Sequence, residues 1–242
     1  MKTLRVEDIH TYYGLSHVLH GISLEVDDGE VVCLLGRNGA GKTTTIRSIM
    51  GLTPPAQGQV IVYDQPIQKK KPFDIFRLGV RWIPQGRRIF PMLSVEENLK
   101  LALVSSGSKD VQAQLNQAYA LFAILGERRK ARANTLSGGQ LQMLAIARAI
   151  IGPTRLILMD EPTEGLAPII ISQIGEIILS IKSQGTTVLL AEQNLQLALS
   201  VADRHYIIDN GQIRFNGTRS ELDDNEEIKR TYLGVGINHR AK

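Results

Sequence analysis

The chain has 242 residues, 43% of them hydrophobic, which is ordinary for a globular protein and enough to bury a full core. Its 28 basic against 24 acidic residues leave a formal charge of +4, far from the basic stripe that nucleic-acid binding needs, so no nucleic-acid partner is expected. No segment offers the ~18 uncharged apolar residues of a membrane span, since the richest, residues 166–182, is interrupted by Gln173 and Glu176.

The N-terminus opens with charge and has no hydrophobic signal core, so the chain is expected to stay in the cytoplasm and to meet a membrane only through a partner. Residues 4–13 and 17–26 read as strands, with a turn at 27–29. Residues 30–35 are apolar without alternation, as in a strand buried on both faces. The single cysteine, Cys33, lies inside that run, cannot form an internal disulfide and reads as a small core residue. A glycine-rich turn follows, and from Thr43 the spacing becomes helical, with Gly51 placed as the cap. Residues 59–64 and 80–85 read as strands, and Lys69, Lys70 and Lys71 before Pro72 as a solvated turn. Helix-forming sequence over 95–130, continuing through a helix from Ser137, predicts a helical lobe at about 93–150 inserted in a single domain that spans 1–242. The apolar strand 155–160, a long helix from Pro168 and the strand 186–192 then alternate. That alternation predicts an α/β architecture with a parallel sheet and crossover helices, preceded by an antiparallel N-terminal part. Asn210-Gly211 between two alternating runs marks a C-terminal hairpin.

Residues 36–43, GRNGAGKT, match G-x-x-x-x-G-K-[ST] between a buried strand and a helix, the context this phosphate-binding turn requires. Glycines let backbone N–H groups converge on an anion at the positive end of the helix dipole. Gly36, Asn38, Gly39, Gly41, Lys42, Thr43 and Thr44 are therefore the expected cradle for a nucleoside triphosphate. Lys42 is expected on the β- and γ-phosphates and the Thr43 hydroxyl on Mg²⁺. The strand ending in Asp160 should deliver that carboxylate beside the cradle as a further Mg²⁺ partner, with Glu161 as general base for the attacking water.

Leu136-Ser137-Gly138-Gly139-Gln140 is far more specific, expected by chance in about one chain of this length in several thousand. With it the sequence resembles the ATP-binding-cassette family, whose signature reads LSGGQ, over essentially the whole length. The resemblance implies an ABC-type P-loop ATPase domain using ATP and Mg²⁺. Its signature (Ser137, Gly138, Gly139, Gln140) would bind the γ-phosphate held by the opposite subunit of a head-to-tail dimer. It further implies that Tyr13 stacks on adenine and that Gln85 senses Mg²⁺ and the attacking water. Arg87, Arg88 and Phe90 would then face a permease helix. Two departures stand out: Gln193 replaces the usual histidine, which leaves it a positioning role, and Ala167 replaces an aspartate that crosses the dimer. Both departures, with residues 87–99, 164–168, 191–194 and the terminal 231–235, resemble the second ATPase of branched-chain amino acid and urea/amide importers. The expected setting is thus peripheral, on the cytoplasmic face of the membrane. The expected partners are permease subunits, a second cassette (a different chain, or another copy of this one) and, indirectly, a solute-binding protein. Branched-chain amino acids are the expected solute, with urea or short-chain amides as the alternative. A soluble non-transport cassette and a cassette that binds ATP without hydrolysing it stay open as rivals.

Overall fold

The computed structural model describes residues 1–106 and 110–233; Gly234 and Val235 of the C-terminal motif lie outside them. The apolar strands β3 (Val31–Leu35), β7 (Leu156–Asp160) and β8 (Thr187–Glu192) are buried along their whole length. Their alternate side chains feed two different cores. Val31, Cys33, Leu35, Ile157, Met159, Val188 and Leu190 face one cluster, whereas Val32, Leu34, Leu156, Leu158, Leu189 and Ala191 face the other. Each such side chain contributes roughly 1.5–3 kcal/mol by leaving water, so a strand apolar on both faces is stable only as the middle layer of three.

The middle layer is a six-stranded sheet in the order β10-β9-β3-β8-β7-β6, with β6 at Val80–Ile83, β9 at Arg204–Asp209 and β10 at Gln212–Thr218. All its pairs are parallel except the β9–β10 hairpin. On one face lies an antiparallel sheet, β2-β1-β4-β5, built from β1 (Lys2–Tyr13), β2 (Ser16–Asp27), β4 (Gln57–Val62) and β5 (Gln65–Pro66). Its core, shared with α1 (Lys42–Ile49) and α2 (Pro72–Arg77), is the second cluster. The other face carries α3 (Val95–Ser106), α4 (Val111–Leu121), α5 (Ala123–Glu127), α6 (Gly138–Ile150), α7 (Pro168–Ser183) and α8 (Leu195–Val201). Two short helices, α9 (Arg219–Asp223) and α10 (Glu226–Ile228), follow the hairpin.

The α/β architecture expected from the sequence is present, with local corrections. The strand read over 59–64 ends at Val62, because Tyr63 and Asp64 turn the chain with φ of +50° and +59°. The one read over 80–85 ends at Ile83. Helices α2, α8, α9 and α10 are absent from the sequence expectation, being too short to show a helical period. The hairpin turn at Asn210-Gly211 has φ of +46° and +70°, the left-handed pair that a two-residue turn of this hand requires.

Candidate functional site

The parallel register fixes the site. Leu35 pairs with Glu192 and Asp160 with Ala191, so β3, β8 and β7 end at one level, at the point where strand order reverses around β3. Such carboxyl edges are where open α/β sheets collect ligand-binding residues. The chain leaves β3 with Gly36 N–H donating to the Glu192 carbonyl (3.2 Å). A Cβ at Gly36 would stand 2.5 Å from the Ile208 carbonyl, so no other residue lets the turn pass so close to β9. Gly41, at φ +115°, ends the turn and α1 begins at Lys42, presenting the free N–H groups of a helix start.

Lys42 is 3% exposed. Its ammonium donates to the carbonyls of Gly36 (2.7 Å) and Arg37 (3.1 Å) and pairs with Glu161 Oε1 at 2.9 Å. Thr43 Oγ1 donates to Asp160 Oδ1 (2.9 Å). The other oxygen, Asp160 Oδ2, is buried without a hydrogen-bond partner. Burial pushes the Asp160 carboxyl up to about 6, opposed by the Thr43 hydrogen bond and by Lys42 and reinforced by Glu161 and Glu164. Glu161 turns away from the strand at φ +47°, its N–H donating to the Ala191 carbonyl (2.9 Å). Gln85 donates to Glu164 Oε2 (2.9 Å) and, longer, to Glu161 Oε2 (3.4 Å). Gln193 is exposed and, with Asn38 and Glu161, lines a hollow of about 340 Å³.

The fold thus gathers Gly36, Asn38, Gly39, Gly41, Lys42, Thr43, Thr44, Gln85, Asp160, Glu161 and Gln193 around one strand edge. Tyr13 sits apart, half exposed at the end of β1, with the Arg47 guanidinium of α1 at 6.0 Å from its ring centroid. Ser137 to Gln140 form another locale. The Ser137 hydroxyl accepts from Gln140 N–H (3.3 Å) and Gln140 Oε1 accepts from Ser137 N–H (3.0 Å), a reciprocal cap that starts α6. Among the described residues no hydrogen bond joins this cap to the cradle. Two acids escaped the sequence reading. Glu164 engages Gln85, with no pattern in the sequence to mark it. Glu192, 2% exposed, accepts from the Thr163 hydroxyl (2.6 Å) and N–H (3.2 Å) and from the N–H groups of Gln193 (3.0 Å) and Asn194 (3.1 Å). Its signal, a carboxylate ending an apolar strand, is the one that marked Asp160.

The ABC transporter family model matches residues 19–164. The chain belongs to that family. This cassette is 42% identical to the high-affinity branched-chain amino acid transport ATP-binding protein BraG of Pseudomonas aeruginosa, over 96% of this chain and 99% of the relative. It is 34% identical to the probable branched-chain amino acid transport ATP-binding protein LivF of Archaeoglobus fulgidus, over 96% and 99%. At the same 34% it matches the lipopolysaccharide export system ATP-binding protein LptB of Escherichia coli K12, over 97% and 98%. Among solved structures, a nucleotide-free ATP-binding cassette from an ABC transporter superposes with a TM-score of 0.85 at 28% identity, over 98% of the cassette and all of that chain. The cassette is therefore an ATPase of the ABC type.

Proposed function

We propose that this cassette powers import of branched-chain amino acids, bound peripherally to permease subunits at the cytoplasmic face of a membrane. The observation that carries the reading is the full-length 42% identity to BraG, against 34% to an export cassette, joined to a complete cradle, strand-end acids and signature. No helix among the described residues is long and apolar enough to cross a membrane, which fits attachment through a partner.

In this reading the whole chain, 1–242, is one ATPase domain with α3 to α6 as its helical lobe. The N–H groups of the 36–43 turn bind the phosphates, and Lys42 exchanges its carbonyl partners and Glu161 for phosphate oxygens. Tyr13 stacks on the adenine. Thr43 and Asp160, with Gln85 at the rim, hold Mg²⁺; the unpartnered buried oxygen of Asp160 fits a cation. The ion would neutralise phosphate charge. Glu161, once Lys42 leaves it, takes the proton of the attacking water, and Gln193 positions the γ-phosphate through its amide. Ser137, Gly138, Gly139 and Gln140 complete the site of a second cassette, because their locale is separate from this chain's own cradle. A hollow of about 370 Å³ between core and lobe, walled by Phe76, Trp82, Arg87, Arg88, Phe90 and Arg148, receives a permease helix.

The test is uptake of labelled leucine and labelled urea by the native host, with the parental gene or Lys42→Ala at equal expression. Loss of leucine uptake alone is expected. Loss of urea uptake alone would move the assignment to the amide importers, and no change in either would overturn the import reading.

A further inference from the structure

Gln85 is followed by a turn to which the reaction as read above gives no task. Gly86, Arg87 and Arg88 take φ of +77°, +65° and +46°, three successive left-handed residues, two of which carry side chains that disfavour the region. The turn closes on itself through Arg87 N–H to the Pro84 carbonyl (3.2 Å) and Arg88 N–H to the Gly86 carbonyl (2.7 Å). A backbone of this kind persists only where its surroundings fix it. Here the anchors come from the helical lobe. Arg87 Nε donates to Oε1 of Gln142, a buried residue in the first turns of α6 (3.3 Å). Its terminal nitrogens lie 3.6 and 3.7 Å from where a Cβ on Gly138 would stand, against the signature itself. At the far end of α6, Arg148 Nη1 donates to the Arg88 carbonyl (3.0 Å), and its guanidinium lies 5.0 Å from the Phe90 ring centroid. Asn98 of α3, fully buried, accepts from Phe90 N–H (3.1 Å) and donates to the Phe90 carbonyl (3.0 Å). Arg87 has no carboxylate partner among the described residues, so its hydrogen bond to the Gln142 side-chain amide is not in competition with a stronger local pair.

Residues 86–90 are thus fastened to the lobe, whereas the side chain one residue earlier, Gln85, is fastened to the core acids Glu164 and Glu161. We propose that Arg87 is a positioning residue that fixes the Ser137–Gly139 end of α6 relative to the Gln85 turn, so that displacement of Gln85 and displacement of the signature are one motion. The inference rests on the reading above, in which the signature completes a partner's ATP site. It adds a residue that touches neither nucleotide nor water and acts through Gln142 and Gly138.

The experiment compares Arg87→Ala, Arg87→Lys, Gln142→Leu and Arg87→Ala/Gln142→Leu, each in the full-length chain within the complex purified from its host. Arg87→Ala should lower kcat for ATP hydrolysis about ten-fold, the worth of one hydrogen bond from a charged donor, while the affinity of the single chain for a fluorescent ATP analogue stays parental. Arg87→Lys, which keeps a charged donor, should recover part of the rate. The double variant should lose no more than Arg87→Ala alone, as for two ends of one tether. Hydrogen exchange without nucleotide should quicken at residues 138–142 and stay unchanged over α1. Parental kcat and exchange in Arg87→Ala, additive losses in the double variant, or a matching fall in nucleotide affinity and melting temperature would each overturn the tether. If the parental complex hydrolysed no ATP, the importer reading would fall, and the exchange comparison alone would decide the tether.

Discussion

Asp160 carries an electrostatic burden that the proposed cation site explains and that folding alone does not. Burial raises its carboxyl from 3.8 to about 6, so the folded chain binds a proton that the unfolded chain has already lost. Stability from this group is complete below about pH 4 and is lost as pH rises through 6. The loss is about 3 kcal/mol for a shift of this size. Asp160→Asn keeps an acceptor for the Thr43 hydroxyl and removes the ionisation. Without nucleotide it should melt several degrees above the parental chain at pH 8, and the gap should close by pH 4. With Mg–ATP the order should invert at pH 8, because a cation on the carboxylate favours the ionised form that burial opposes. Equal melting at pH 8 in differential scanning fluorimetry would mean that the site already solvates Asp160. The sequence made this acid legible because an apolar strand ended in it next to a second acid. Glu192 ends its strand in the same way, yet four donors from its own neighbourhood satisfy it. One strand-end acid is left with a bare oxygen and the other is saturated, a difference made by loop conformation that residue order does not disclose.

Among the elements, the β9–β10 hairpin shows how a feature predicted for one reason serves another. Asn210-Gly211 predicts a turn from dihedral preference alone. In the structure Gly211 N–H also donates to the Ala40 carbonyl of the phosphate-binding turn (2.9 Å), and the Gly211 carbonyl accepts from His20 N–H of β2 (2.8 Å). The hairpin therefore buttresses the cradle and ties it to the antiparallel sheet. A Cβ at Gly211 would fall well inside contact distance of the Val18 carbonyl and the His20 ring, at φ +70°. Gly211→Ala should thus cost about 2 kcal/mol or more of stability. It should also weaken nucleotide binding beyond what the stability loss explains, because Ala40 loses its support. Asn210→Gly, which keeps the turn and adds no atom, should leave nucleotide affinity parental. Calorimetric titration with ATP on both variants checks this, and equal affinities would confine the hairpin to folding. Two of the helices that escaped prediction, α2 and α8, have six and seven residues, too few turns for an apolar stripe to repeat. Their formation is decided by tertiary burial of Ile75 in one and of Leu197, Ala198 and Val201 in the other.

At the scale of the whole molecule, one cradle and one signature occupy separate locales of a single chain, and the Ser137 and Gln140 side chains are spent on capping each other. The pentapeptide was legible because it is rare. What it meets was not, because that lies on another chain. If it meets a partner's ATP, the number of nucleotides retained distinguishes the two possible partners. In a Glu161→Gln background, where ATP is bound but its water is not activated, a closed dimer should hold two ATP per pair, one at each composite site. Ser137→Arg sets a bulky cation where the signature approaches the γ-phosphate and leaves this chain's own cradle untouched. A dimer of two such chains would lose both ATP molecules and dissociate, whereas a pair with a different cassette would keep the one that the other cassette's signature covers. Gln193 in place of histidine and Ala167 at the exposed start of α7 favour the second outcome, since both remove groups that an identical pair would need twice. Nucleotide content of the complex purified from its host, read after size exclusion with light scattering, decides between the two. Retention of two ATP molecules by Ser137→Arg would remove the signature from the site altogether.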